Sequence, residues 1–119
     1  VDEDALDAIL GAAEIQPGES VVEVGPGAGV VTQRLLAAGA KVTAVELDEA
    51  LAPLLEKRFG GNPNFHLVQG DILHTPREDL LGADAPAKLV ANLPYYITAP
   101  TLRYFLEHPP RPRRLVVMV

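Results

Sequence analysis

Apolar positions along the chain switch repeatedly between two periods. Ala5, Leu6, Ile9, Leu10 and Ala13 recur three and four residues apart, which predicts an amphipathic helix ended by Pro17 and Gly18. Ser20 to Val24 is a short β-branched run and predicts a strand. The glycine-rich turn from Gly25 to Gly29 follows, then a helix carrying Val30, Val31, Leu35 and Leu36 and closed by Gly39. Lys41 to Leu47 predicts a second strand, after which Asp48 is placed to cap a helix bearing Leu51, Leu54, Leu55 and Phe59. That helix stops at Gly60, Gly61, Asn62 and Pro63. Phe65 to Val68 reads as a third strand, Asp71 to Pro86 as a polar stretch, and Lys88 to Ala91 as a fourth strand. A helix over Thr98 to Glu107 tolerates Pro100 in its first turn, and Arg114 to Val119 begins a fifth strand.

Strand and helix therefore alternate, and the strands are too apolar for one face to be wet. The pattern predicts an α/β fold with a doubly wound parallel sheet covered on both sides, in a single domain spanning residues 1–119. Right-handed crossovers gather the strand-to-helix turns along one edge, where such folds bind ligands. Candidate chemistry is thus sought after each strand.

Composition narrows the class. The 119 residues carry 10 Lys+Arg against 16 Asp+Glu, a net charge of −6, and no Cys. Disulfide scaffolds, thiol catalysis and Cys-ligated zinc are excluded. No apolar run approaches the ~20 residues of a membrane helix, and no signal peptide opens the chain, so a soluble cytoplasmic protein with no membrane contact is expected. The acidic balance argues against gripping nucleic acid by overall charge. Four of the seven arginines (Arg103, Arg111, Arg113 and Arg114) nevertheless fall in the last seventeen residues, where a solvated end is the simpler reading. His66, His74 and His108 lack metal-ligand spacing, so no metal is expected.

The four strand ends carry the signal. Glu23, Gly25, Gly27 and Gly29 form a turn whose glycines allow sharp bends and close ligand approach, ahead of a helix with free N–H groups. The spacing G-x-G-x-G differs from the dinucleotide fingerprint, which needs Gly or Ala at Val30, and the acidic Glu23 disfavours a pyrophosphate. Thr32 is expected to pack or cap locally. Glu46, with Leu47 beside it, ends the second strand, and a carboxylate there accepts both hydroxyls of a ribose. Asp48 is better explained as a cap. After the third strand Asp71 offers an acceptor for the exocyclic amine of an adenine, and Ile72 a backbone N–H and an apolar face. The fourth strand leads into Asn92, Leu93, Pro94 and Tyr95. The Asn92 amide oxygen and the Leu93 carbonyl, held by the rigid Pro94, form two converging acceptors suited to an amino group. Tyr95 offers a flat face on which an extruded base can stack.

With these strand ends in order, the chain resembles the Rossmann-like, S-adenosyl-L-methionine-dependent class I methyltransferases. More narrowly, it resembles the rRNA adenine N6,N6-dimethyltransferases of the KsgA type. The resemblance rests on the run Val22 to Thr32 around the glycines, on Val45 to Asp48, on Gly70 to Leu73, and on Ala91 to Pro100, and it covers essentially the whole chain. It implies S-adenosyl-L-methionine as cofactor, with Gly25 to Gly29 at the methionine moiety, Glu46 at the ribose, Asp71 and Ile72 at the adenine, and Asn92 also in contact. It further implies that Asn92 and the Leu93 carbonyl hold the target N6 while Tyr95 stacks on the ring. The implied substrate is a pair of adjacent adenines near the 3′ end of small-subunit rRNA, in the immature small subunit, each methylated twice by a monomeric enzyme. The family's N-terminal Gln-Asn-Phe-Leu segment, the last strands of its seven-stranded sheet and its helical C-terminal domain are expected to lie outside this chain, which stops within the fifth strand.

Three other readings share parts of this pattern. A large-subunit rRNA adenine methyltransferase of the macrolide-resistance type has the same turn after the fourth strand. A non-catalytic methyltransferase-like assembly factor keeps the fold without the reaction. A nicotinamide oxidoreductase is disfavoured by the glycine spacing and by Asn92 to Tyr95.

Overall fold

The computed structural model describes residues 3–76, 80, 88–92, 100–101, 103–104, 107 and 111–118. Its framework is a five-stranded sheet, every neighbouring pair parallel, in the order β3-β2-β1-β4-β5. The strands are β1 (Ser20–Val24), β2 (Lys41–Glu46), β3 (Phe65–Gln69), β4 (Lys88–Asn92) and β5 (Leu115–Met118). The helices are α1 (Glu3–Ala13), α2 (Val30–Ala37) and α3 (Ala52–Phe59), with a single 3₁₀ turn at Ile72–His74. The strand order reverses at β1, which pairs with β2 on one side and β4 on the other. Parallel sheets open a crevice at that point.

Alternation along the strands builds two cores. Val21, Val42, Ala44, Phe65 and Val90 face a layer made by Leu6, Ile9 and Ala13 of α1, Val31 and Leu35 of α2, and Leu55 and Phe59 of α3. Val22, Val24, Val45, Leu89 and Ala91 face the other way, onto Ile72, Leu80 and Tyr104. Both faces of the sheet are thus covered, as the apolar strands required. The edge strands are less covered: in β3 His66 is exposed and Leu67 and Val68 are partly so, and in β5 Leu115, Val116 and Val117 are only partly buried.

Two boundaries differ from the sequence reading. Helix α3 starts at Ala52, because Asp48 does not cap it. The Asp48 carboxylate instead accepts the Ala50 N–H at 2.8 Å, closing a tight turn before the helix begins. Leu54, expected on the apolar face of this helix, is 62% exposed, and Leu55 and Phe59 are the helix's core contacts. Of the helix expected over 98–107, the described residues Pro100, Thr101, Arg103 and Tyr104 are helical.

Candidate ligand site at the carboxyl edge of the sheet

Register puts the strand ends level. Val24 is opposite Val45 and Ala91, so one step further Gly25 lies between Glu46 and the backbone of Asn92. Glu46 in turn is opposite Gln69, and the Gln69 side-chain amide donates to the Leu47 carbonyl at 3.2 Å, tying the two strand tips together. The sequence-predicted residues Gly25, Glu46 and Asn92 therefore reach one edge by topology alone. Leu93, Pro94, Tyr95 and the Asn92 side chain lie outside the described residues.

The glycine turn is left-handed at three points, with φ of 73° at Gly25, 58° at Gly27 and 88° at Gly29. Those values strain any residue with a Cβ. Gly25 N–H donates to Val45 O at 3.0 Å, and Gly29 N–H to Pro26 O at 2.9 Å. The last two glycines of the motif do different work. A Cβ on Gly29 would stand 2.6 Å from Cε2 of Phe59, so this glycine admits the ring of α3 against the start of α2. A Cβ on Gly27 would meet nothing within 4 Å among the described residues. Among the described residues, the space above Gly27 is therefore open.

Glu46 joins the glycine turn to the second strand. Its Oε1 accepts the Gly27 N–H at 3.1 Å and its Oε2 accepts the Asp48 N–H at 2.9 Å. A carboxylate has about four lone-pair positions, so these two bonds use half of its acceptor capacity. Leu47 next to it is 60% exposed, an apolar side chain standing at the rim of the site.

Glu23 is placed differently. It is 3% exposed, beneath the glycine turn, and its Oε1 accepts the hydroxyl of Thr32, itself fully buried in the first turn of α2. Burial pushes the Glu23 carboxyl up to about 7; the Thr32 hydrogen bond partly opposes this and the charge on Glu46 adds to it. A carboxyl so close to neutrality repels a pyrophosphate less than its position in the sequence suggests, so the case against a dinucleotide rests on the glycine spacing. Thr32 is the residue that sequence reasoning missed as a partner. The available signal was a threonine on the buried face of the helix, level with an acidic residue inside an apolar strand.

Asp71 starts the 3₁₀ turn. Its Oδ1 accepts the Leu73 N–H at 2.9 Å and its Oδ2 lies 3.1 Å from His74 Nδ1, while its carbonyl takes the Thr75 hydroxyl at 2.9 Å. The carboxylate is 38% exposed, so it holds the turn and still faces solvent. The Ile72 side chain is 5% exposed and packs in the core with Val24 and Val45, so it braces the site from below.

A cavity of about 470 Å³ opens at the opposite end, where β1, β2 and β3 begin, lined by Ser20, Lys41, Thr43, Asn64 and His66 among others. Its volume suits a ligand, but it is far along the strands from the carboxylates and the glycine turn. Of the arginines near the end of the chain, Arg113 and Arg114 lie at this amino edge. Arg113 pairs with Glu19 at 2.6 Å, and Arg114 with Glu14 at 2.9 Å and the Ala12 carbonyl at 3.0 Å. Among the described residues no group of three His, Asp or Glu side chains is arranged to hold a metal, and no helix is long and apolar enough to cross a membrane.

The same chain matches known proteins along its whole length. The family model described as ribosomal RNA adenine dimethylase matches residues 1–119. Ribosomal RNA small subunit methyltransferase A of Dehalococcoides mccartyi (strain CBDB1) is 50% identical over all 119 residues, which are 41% of that protein. The chain thus spans about two fifths of the length of such relatives. Among solved structures, the 23S rRNA methyltransferase ErmE superposes with a TM-score of 0.82 at 30% identity, over 100% of this chain and 47% of that one. A dimethyladenosine transferase from Plasmodium falciparum gives 0.81 at 28% identity, over 98% and 41%.

Proposed function

Because this chain belongs to the ribosomal RNA adenine dimethylase family, we propose that it forms the cofactor-binding core of an S-adenosyl-L-methionine-dependent enzyme that dimethylates N6 of two adjacent adenines near the 3′ end of small-subunit rRNA, in the immature subunit, in the cytoplasm. The observation that carries this reading is the carboxyl edge itself, where the Glu46 carboxylate is held by the Gly27 and Asp48 N–H groups beside a left-handed glycine turn that is open over Gly27 among the described residues. Glu46 accepts the ribose hydroxyls. Gly25, Gly27 and Gly29 shape the turn for the methionine moiety, with Gly29 acting through its packing on Phe59. Leu47 covers an apolar edge of the nucleoside, and Asp71 with the Ile72 backbone meets its adenine. Glu23 acts beneath the turn through Thr32.

The cofactor supplies an activated methyl group on a sulfonium. No strong base is therefore required of the protein, and its task is alignment. Asn92 and the Leu93 carbonyl accept from N6, fixed by Pro94, and direct its lone pair out of the ring; they also favour the positive charge that develops on N6. Tyr95 stacks on the adenine. Alignment of this kind contributes up to roughly 7–11 kcal/mol in well-oriented systems.

Identity favours the small-subunit substrate over the large-subunit one: 50% to a small subunit methyltransferase against 30% to ErmE. The retained Gly25, Glu46 and Asn92 favour an enzyme over a scaffold. The test is methyl transfer to immature small subunits by the intact protein and its Asn92→Ala variant. The expected outcome is a turnover loss of about a hundredfold or more, with cofactor affinity within about threefold. Equal loss of both in a folded variant would contradict the two-acceptor role.

A further inference from the structure

Two polar side chains meet inside the otherwise apolar interface between β1 and α2. Glu23 lies in the strand between Val22 and Val24, which are 0% and 3% exposed, and Thr32 is 0% exposed. A threonine hydroxyl inside a helix usually bonds back to a carbonyl one turn earlier. Here it leaves its own helix and donates to the Glu23 carboxylate on the strand. Between the two residues lies the glycine turn, so their bond closes a ring around it.

Other bonds hold the turn along its length: the Gly27 N–H donates to Glu46 Oε1 at 3.1 Å, and the Ala28 carbonyl accepts from Arg58 Nη1 at 2.7 Å. Gly25 N–H is fixed to Val45 O at 3.0 Å, and the Gln33 N–H to Gly29 O at 2.9 Å. Arg58 of α3 also bonds Gln33 of α2. Directly between α2 and β1, the described side chains meet through apolar packing of Val31 and Leu35 in one cluster with Val21, and through the Thr32–Glu23 bond. Apolar contact is non-directional and tolerates small slides, whereas a hydrogen bond to a fixed oxygen does not. Two apolar residues in these positions would fill the same space without burying a carboxyl, so the pair contributes geometry where it costs stability.

We infer that Thr32 is a positioning residue for the cofactor site: through Glu23 it sets β1 and α2 at the spacing that holds Gly25–Gly29 in its binding shape. The inference rests on the reading of that turn as the cofactor loop. It gives a role to a residue that touches no ligand and that the motif alone leaves as helix packing.

The test uses the intact protein with Thr32→Val, Thr32→Ser and Glu23→Gln, by calorimetric titration with S-adenosylmethionine, thermal unfolding without ligand, and turnover at saturating cofactor. Thr32→Val, which keeps the shape and removes the hydroxyl, is expected to bind about tenfold more weakly, the equivalent of one hydrogen bond to a charged group. Its turnover at saturation stays within about twofold, and Thr32→Ser restores affinity to within about twofold. A lower melting temperature for Thr32→Val with unchanged affinity would show a purely structural role and overturn the inference. If Thr32→Val does not fold, Glu23→Gln decides, because it keeps an oxygen for the hydroxyl and removes the charge. Binding within about threefold supports the bond as the active feature, and loss beyond about tenfold assigns the effect to charge and overturns it. Failure of the unsubstituted protein to bind would overturn the cofactor reading and this inference together. Normal binding by the unsubstituted protein and by Thr32→Val would overturn this inference alone.

Discussion

Glu23 and Glu46 project from neighbouring strands on one face of the sheet, and each is almost fully buried. Glu46 compensates its burial with two backbone N–H groups, one per oxygen. Glu23 has the Thr32 hydroxyl alone among the described residues, and its carboxyl rises from an ordinary 4.5 to about 7. A raised folded-state value means that the folded protein binds the proton more tightly than the unfolded chain. Stability from this group is therefore complete below pH 4.5 and falls as pH rises to about 7. The full window is worth at most about 3 kcal/mol at 1.36 kcal/mol per unit. Glu23→Gln should remove that slope: equal in stability to the unsubstituted protein near pH 4 and more stable at pH 8, as followed by denaturant unfolding at both values. A slope that persists in the variant would place the titration elsewhere. At this scale the sequence reveals which residue types stand at the strand ends and not what they bond to. Asp71 as a turn cap and Thr32 as a partner of Glu23 both depend on side-chain direction, which one-dimensional spacing does not encode.

Among the elements, the glycine turn and the helices beside it show how one motif serves two ends. Gly29 is needed for its φ of 88° and for the Phe59 ring that occupies the space of its missing side chain. Gly27 is needed for its φ of 58°, and the proposed role adds the close approach of the cofactor to its open side. The two alanine variants should separate. Gly29→Ala combines backbone strain with overpacking and is expected to cost about 2–4 kcal/mol of stability. Gly27→Ala is expected to cost only about 1–2 kcal/mol of stability while weakening cofactor binding by an order of magnitude or more. Thermal unfolding and titration of both variants check this, and similar stability losses would contradict the division. The strands and most helices were legible because their apolar periods are unambiguous and Gly39, Gly60 and Pro63 punctuate them. The start of α3 was not. An Asp before a helix closes an Asx turn as readily as it caps, and the two outcomes place the helix start a few residues apart.

Across the molecule, the two edges of the sheet have separate duties. The carboxyl edge carries the glycines and acceptors, and the amino edge carries ion pairs that link α1, β1, β4 and the approach to β5. Lys88, 8% exposed, reaches Glu19 at 2.8 Å and the Glu14 carbonyl at 2.7 Å, and Arg113 meets Glu19 from the other side. Burial pushes the Glu19 carboxyl up, but Lys88, the Gln16 N–H and Arg113 outweigh it and hold the group below its ordinary value. A lowered value stabilises the fold above the ordinary carboxylate range and is lost as pH falls through the folded-state value. Removing Lys88 takes away the buried partner of Glu19, leaving it the exposed Arg113 and the Gln16 N–H, and strips the Glu14 carbonyl of its donor. Lys88→Met should therefore cost on the order of 3 kcal/mol, whereas Arg113→Ala, at an exposed pair, should cost under about 1 kcal/mol. Urea unfolding of both at neutral pH checks the ranking, and equal losses would contradict it. Arg113 and Arg114 looked like a solvated end because their partners, Glu19 and Glu14, lie about a hundred residues earlier in the chain. Pairing at that separation is set by the parallel topology, and no local pattern announces it.

The central claim is that the carboxyl edge, with Glu46 as its ribose acceptor and loop brace, binds S-adenosylmethionine. Calorimetric titration of the intact protein and of its Glu46→Ala variant tests it most directly, with melting curves confirming that both are folded. Loss of a charged acceptor for two hydroxyls removes about 1.5–3 kcal/mol for each hydrogen bond. The expected result is saturable binding by the unsubstituted protein and affinity at least about a hundredfold weaker in the variant. Equal affinity in two folded proteins would contradict the claim and move the cofactor away from the end of β2.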